Sequence, residues 1–211
     1  TSIISGQPAS SVYAFNINTG NILPFTVSST FGVLTIAFND SLTYFAGFVS
    51  AIGGIPRSFL AAIDLTTGKI TSWNPGANNE VRDLKIYNGK IYICGSFTSV
   101  AGQARSRVAA FDLSTGNLAP WTIPSFNTGS LRTMAFSGNT IYLGGAISGT
   151  SILTNPFYPR GNLFSFDLTT GGILPWAPVM SSNTTAYSII IDNNILYAGG
   201  SFTTVNGITR N

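Results

Sequence analysis

Apolar residues in this chain come in runs of four to seven, rich in Ile, Val, Phe and Tyr, and each run stops at Gly, Asn, Pro or a Ser-Thr cluster. Runs of that length and composition suit strands and not helices. VRDLKIY (81 to 87) predicts a strand, Asn88-Gly89 a tight hairpin, and KIYICGSF (90 to 97) the returning strand. After a loop ending near Arg105, RVAAFD (107 to 112) predicts a third strand, then a turn and a short fourth strand ending at Trp121. The third strands LAAID, VAAFD and LFSFD lack clean alternation, as expected where both faces of a sheet are covered by its neighbours. Ala62, Ala110 and Ser165 would let those neighbours approach closely.

This unit recurs. FNINTG (15 to 20), IDLTTG (63 to 68), FDLSTG (111 to 116) and FDLTTG (166 to 171) are each followed, five residues after the glycine, by Phe25, Trp73, Trp121 or Trp176. The glycines are spaced 48, 48 and 55 residues apart. Gly47, Gly95, Gly145 and Gly200 keep the same rhythm, each with a tyrosine three residues earlier. Arg57, Arg105 and Arg210 follow three of them by ten residues, whereas Arg160 follows Gly145 by fifteen and marks a five-residue insertion. Such a period points to a propeller or solenoid, and four antiparallel strands per unit make a propeller blade. The fold expected is therefore all-β: a β-propeller of four-stranded antiparallel blades over residues 1–211, with units near 1–25 (partial), 31–73, 81–121, 131–176 and 186–211 (partial). Residues 1–10 align with 97–106, and the chain stops at Asn211 in the same loop, so it reads as a piece of a longer array. A closed four-bladed ring would encode one loop twice. The usual counts of ~4 to 8 blades favour a slice of a seven- or eight-bladed ring.

The repeated turn has a local cause. An Asp or Asn side chain bonds backbone N–H groups two residues on, and glycine accepts the positive φ that ends the turn. Asp64, Asp112 and Asp167 are thus expected to be turn formers. Only 8% of residues are charged, against about 25% in an ordinary soluble domain, so Thr, Ser, Asn and Gly must cover the surface. No run nears the ~18 apolar residues of a membrane span. The net charge of +3 is spread along the chain, with no phosphate-tracking cluster, so neither a membrane span nor a nucleic-acid partner is expected. The single Cys94 excludes an internal disulfide and reads as a buried filler.

Chemistry-bearing residues are few. Histidine is absent, which removes the commonest general base and metal ligand. Of seven carboxylates, three lie in the repeated turn, and Asp40 and Asp192 fall in hairpin turns beside Asn39 and Asn193. Glu80 and Asp83 remain, around Arg82, at the entrance of an inner strand where a propeller's channel opens. A carboxylate pair there suits acid and base roles; a local ion pair with Arg82 is the plainer reading. The insertion gives SGTSILTNPFYPR (148 to 160), in which Asn155, Phe157 and Tyr158 form a rigid tip suited to sugar stacking or protein contact. Asn39 and Asn183 open N-glycosylation sequons. No catalytic residue, metal site or cofactor is assigned.

The pattern Y-x-x-G-x-F-T, then R-x-x-x-A-A-F-D-x-x-T-G, then Trp resembles the extracellular bacterial propeller repeats of the quinoprotein-like superfamily. AIDLTTGKITSW (62 to 73) is similar to the tryptophan-docking motif of the pyrroloquinoline-quinone dehydrogenases, with one more residue between Gly68 and Trp73. The resemblance implies the propeller fold, while non-enzymatic propellers share the docking repeat. The function expected is a non-enzymatic secreted or cell-surface propeller, either a platform for a protein or glycan or a structural unit that partners itself in an extracellular assembly. The alternative is part of a quinoprotein-like enzyme whose catalytic residues and calcium-binding acids lie outside this segment.

Overall fold

The computed structural model describes residues 3–4, 7–8, 12–27, 32–125, 129–147, 162–176, 178–181 and 183–209. All regular elements among them are β-strands. Three three-stranded antiparallel sheets follow one another along the chain. Unit I comprises Val33–Phe38, Leu42–Gly47 and Leu60–Asp64; unit II, Val81–Tyr87, Lys90–Gly95 and Val108–Asp112; unit III, Ser130–Ser137, Thr140–Ala146 and Leu163–Asp167. Two-stranded pairs flank them, Val12–Phe15 with Ile22–Val27 before unit I and Ala186–Asp192 with Ile195–Gly200 after unit III. These two pairs lie in separate sheets.

The first two strands of unit II join through Asn88 (φ 45°) and Gly89 (φ 70°), the double positive φ of a primed hairpin turn. Each first strand then carries a one-residue bulge, at Leu34, Arg82, Arg132 and Tyr187. The bulge explains the tyrosine-then-glycine rhythm. A Cβ on Gly47, Gly95, Gly145 or Gly200 would overlap the backbone carbonyl of Gly32, Glu80, Ser130 or Thr185, where the first strand begins.

In the first copy Ile22–Val27 pairs with Val12–Phe15, whereas in units I to III the expected fourth strand is corrected to a single bridge, Ile63 with Ile70, Phe111 with Leu118 and Phe166 with Ile173. The chain leaves the ladder there because the next ring is committed elsewhere. Trp73 Nε1 donates to the Gly116 carbonyl (3.1 Å) and Trp121 Nε1 to the Asp167 carbonyl (3.3 Å), each on the turn of the following unit. Each tryptophan also meets its own unit's tyrosine edge to face, Tyr44 with Trp73, Tyr92 with Trp121 and Tyr142 with Trp176, at 5.0 to 5.7 Å. The core forms between units, Tyr44 and Leu60 with Leu84 and Ile93, and Tyr92 and Val108 with Met134 and Leu143. Ala62, Ala110 and Ser165 are fully buried.

The segment read as a plain loop before each repeated arginine contains a further small hairpin, Ala51–Ile52 with Ile55–Pro56 and Ser99–Val100 with Gln103–Ala104, repeated at Thr204–Val205 with Ile208–Thr209. Its turn residues all take positive φ: Gly53-Gly54, Ala101-Gly102 and Asn206-Gly207. Arg57 and Arg105 tie this hairpin down. Their guanidinium groups donate to Thr71 O (2.6 Å) and Ala119 O (3.1 Å). Arg160 and Arg210 lie outside the described residues.

Asp64, Asp112 and Asp167 form the repeated turns: each Oδ1 accepts backbone N–H groups two and three residues on, at 2.7 to 3.0 Å. Asn16 makes the same pair in the first copy. The bonds hold all three carboxyls below their ordinary pKa, with Asp112, bonded first by the Ser114 hydroxyl, lowered to about 2. A depressed folded-state pKa stabilises above the unfolded value of 3.8, and that contribution is lost as pH falls toward about 2. Melting temperature is expected to drop over this window, and Asp112→Asn to flatten the drop while preserving the fold, as Asn16 does naturally. An acid titration followed by circular dichroism checks it.

Candidate functional site

The side chains that break the repeat gather where units II and III begin. Glu80 is buried, and its Oε1 accepts from Arg82 Nε (2.7 Å) and Nη2 (2.5 Å) and lies 2.8 Å from Ser96 Oγ. Ser96 Oγ is 2.8 Å from Ser130 Oγ, on the next unit. With one hydroxyl proton each, Ser96 donates to the carboxylate and Ser130 to Ser96. Glu80 Oε2 is buried and has no hydrogen-bond partner among the described residues. A buried carboxylate oxygen left unpaired carries a desolvation cost of roughly 1–3 kcal/mol, which an arriving donor would relieve. The backbone explains the placement: the Asn79 side chain accepts Glu80 N–H, and the Glu80 carbonyl accepts Ser96 N–H around the glycine-bearing bulge.

Arg82 and Arg132 are bulge residues of adjacent first strands. The Arg132 guanidinium lies 5.5 Å from the centre of the ring of Tyr187, a bulge residue one unit further on, and its Nε has no hydrogen-bond partner among the described residues. The bulge positions thus run Leu34, Arg82, Arg132, Tyr187 across four consecutive sheets, apolar, cationic, cationic, aromatic. The repeat thus leaves the chemistry of this position free to vary.

Asp83 takes a separate set of partners, so the two carboxylates do not act as a pair. Its Oδ2 accepts Met134 N–H across the unit boundary (2.9 Å), its Oδ1 accepts Leu84 N–H (2.9 Å), and Lys85 Nζ lies 3.8 Å away. Burial pushes its pKa up, with Lys85 opposing. Thr133 does the same one unit later, accepting Ile189 N–H (3.2 Å). Asp83 is thus a tether between neighbouring first strands. Arg107, also buried, donates from Nε to Gly129 O (2.7 Å), another strut between units, its pKa lowered by burial. Cys94 is fully buried, its thiol pKa well above the ordinary value, which makes it a filler with no accessible thiolate.

Open grooves of about 360 and 470 Å³ lie beside the docked Trp73 and Trp121. Both follow from the same step between one unit's tryptophan and the next unit's turn, Thr115-Gly116 in one and Leu168 to Thr170 in the other. A third groove, of about 390 Å³, runs between the small hairpin of unit II at Ala104-Arg105 and Thr122 to Ser125. Among the described residues no three His, Cys, Asp or Glu side chains come together as a metal site, and no helix is long and apolar enough to cross a membrane. Asn155, Phe157 and Tyr158 lie outside the described residues. Of the sequon asparagines, Asn183 is exposed, and the side-chain Oδ1 of Asn39 accepts Ser41 and Leu42 N–H in its turn.

Ser96, Ser130, Arg132 and Tyr187 were not singled out from sequence. The signal available was the repeat itself, since Arg132 and Tyr187 occupy the place of Arg82 in the following copies.

No family model and no curated protein matches the chain. Solved structures do. The chain is similar to the computationally designed Ika4 protein (16% identity, 82% of this chain and 87% of that one, TM-score 0.55). It is similar to the designed Ika8 protein over 93% of its own length and 51% of the other (16% identity, TM-score 0.60). A third is the extracellular domain of BT4673 from B. thetaiotaomicron (16% identity, TM-score 0.59), of which the chain spans only 23% while 90% of its own length is covered. At this identity the likenesses show the fold alone.

Proposed function

We propose that this chain is a non-enzymatic β-propeller module of a secreted or cell-surface protein, built of tryptophan-docking repeats of the quinoprotein-like type, which presents the Glu80 cluster as a platform for a protein or glycan. The observation that carries the reading is the division of labour among its polar groups. The repeated aspartates close turns and the described repeated arginines brace hairpins. Glu80, whose place holds Gly32, Ser130 and Thr185 in the other copies and whose Oε2 has no partner among the described residues, gathers Arg82 and Ser96 around it at the start of unit II. Function grafted on a fold resides in what departs from the scaffold. An extracellular setting is supported by the low charge and by the likeness to an extracellular domain. A glycan suits the cluster because a sugar hydroxyl both donates to a carboxylate and accepts from a guanidinium.

The test is an array of defined glycans probed with the fluorescently labelled chain. The reading expects at least one class to be retained, and Glu80→Gln or Arg82→Ala to weaken it on the order of tenfold, the loss of one charge-assisted hydrogen bond. Absence of binding to every class, or binding unchanged in both variants, would remove the glycan reading. The docking geometry of Trp73 and Trp121 also accommodates the alternative of a quinoprotein-like enzyme completed outside this segment. A quinone absorbance band and calcium-dependent dehydrogenase activity in the native protein would mark it.

A further inference from the structure

We infer that Arg132, the half-buried arginine at the bulge of unit III, binds the carboxylate of an acidic glycan, a hexuronate whose hydroxyls reach Glu80 on the neighbouring unit. The inference deepens the platform reading above and rests on it.

Units II and III open alike, Glu80-Val81-Arg82 in one and Ser130-Leu131-Arg132 in the other. Gly95 and Gly145 face the Glu80 and Ser130 carbonyls in the same way, and Arg82 and Arg132 are both bulge residues, so the two backbones correspond. In unit II the carboxylate that a guanidinium needs is built in: Glu80 Oε1 accepts from Arg82 Nε and Nη2. In unit III a serine takes that place. Ser130 Oγ lies 2.8 Å from Ser96 Oγ, and Arg132 Nε is left buried with no hydrogen-bond partner among the described residues.

No acid of this sequence fills the gap. All seven carboxylates lie among the described residues. Asp64, Asp112 and Asp167 close turns, and Asp83 binds Met134 N–H. Asp40 and Asp192 sit at the hairpin ends of first strands, away from the bulges. The ion pairs among the described residues are Glu80 with Arg82 and Asp83 with Lys85. Arg132 is held in place without being neutralised. Its guanidinium lies over the Tyr187 ring, 5.5 Å from the centre, a stacking that leaves the N–H edge open to a planar acceptor. A carboxylate matches that edge, as Glu80 does at Arg82.

Tyr187 and Glu80 favour a sugar over an acidic peptide. Tyr187 is 55% exposed, and an aromatic body beside the cation offers a face to the C–H side of a pyranose. Glu80 is 7% exposed and keeps Oε2 unpartnered, and Ser96 and Ser130 link its other oxygen to the Arg132 strand in two steps of 2.8 Å. That free oxygen accepts a hydroxyl and repels a second carboxylate. A hexuronate, with one carboxylate and several hydroxyls on one ring, satisfies both ends; a run of Asp or Glu does not.

The test is titration calorimetry of the chain with short oligosaccharides ending in glucuronate or galacturonate, against the same oligosaccharides methyl-esterified at that carboxyl. The acid is expected to bind at least about tenfold more tightly than the ester, the gain of a charge-assisted hydrogen bond. Arg132→Gln is expected to bring the acid down to the ester. So is Ser130→Glu, which hands Arg132 a carboxylate from its own chain as Glu80 does for Arg82. Circular dichroism establishes that each variant keeps the fold. Equal affinity for acid and ester in the wild-type chain overturns the inference, as does a preference that survives in either folded variant, or tighter binding of a glutamate tripeptide than of the uronates. If neither variant folds, the wild-type comparison decides. Neutral glycans bound through Glu80 with no gain from the carboxylate remove this inference and leave the platform reading standing; no binding of any glycan removes both.

Discussion

Trp121→Ala is expected to destabilise the chain by about 3–5 kcal/mol, the cost of removing a large buried aromatic and leaving its cavity. The ring is nearly buried, meets Tyr92 edge to face at 5.7 Å and hangs its N–H on the Asp167 carbonyl. It therefore couples unit II to unit III, and its loss should loosen the boundary as well as the core. Trp121→Phe separates the two contributions. The first copy of the repeat carries Phe25 at this place, and in Trp121→Phe the hydrogen bond is lost, at about 1 kcal/mol, together with the part of the buried indole that a phenyl ring does not fill. Urea unfolding of the three proteins checks the order. Equal losses for Ala and Phe would show that the hydrogen bond, and not the ring, holds the boundary.

Gly95→Ala and Gly145→Ala form the second expectation of large effect. An added Cβ would run into the Glu80 or Ser130 carbonyl, backbone atoms that can retreat only by undoing the bulge and the Ser96 N–H bond beside it. Overpacking of a tight site costs about 1–3 kcal/mol, and more where backbone must shift. Gly199→Ala is the control. Nothing lies within 4 Å of its added Cβ, and Ala46 stands at the equivalent place in unit I, so its effect should stay within about 0.5 kcal/mol. Gly95→Ala carries a further consequence, because the bulge it disturbs positions Arg82 and Glu80. Glycan binding should fall with stability in that variant and hold in Gly199→Ala.

What was legible in the sequence was whatever is decided locally. The Asp112 turn is set by residues two and three positions away, and the Asn88-Gly89 hairpin by its own backbone, so both can be read from adjacent letters. The role of Gly95 was visible as a rhythm but not as a cause, since the carbonyl it must clear sits fifteen residues earlier. The fourth strand was overextended because alternation does not say where a chain leaves its ladder; that is set by Trp121 reaching another unit's turn. The small hairpin at Ser99–Val100 was read as loop although Ala101-Gly102 carries a turn signature, since two-residue strands leave no hydrophobic pattern.

The candidate site was half legible. Glu80 and Arg82 stood out by elimination, as charges outside the repeated turns. Ser96 and Ser130 are two of many serines, and only the packing of unit III on unit II brings them to Glu80. Proximity in sequence misled for Asp83, which binds an amide 51 residues away and not its neighbouring carboxylate's partners.

Native-state hydrogen exchange resolved by residue tests most directly the claim that the repeated residues are architecture. Second strands paired on both edges have every amide engaged, so the account predicts the slowest exchange at Tyr44 to Ala46, Tyr92 to Cys94 and Tyr142 to Gly144, recurring with the repeat. Fast exchange at these three places, with protection concentrated in segments that do not repeat, would contradict it.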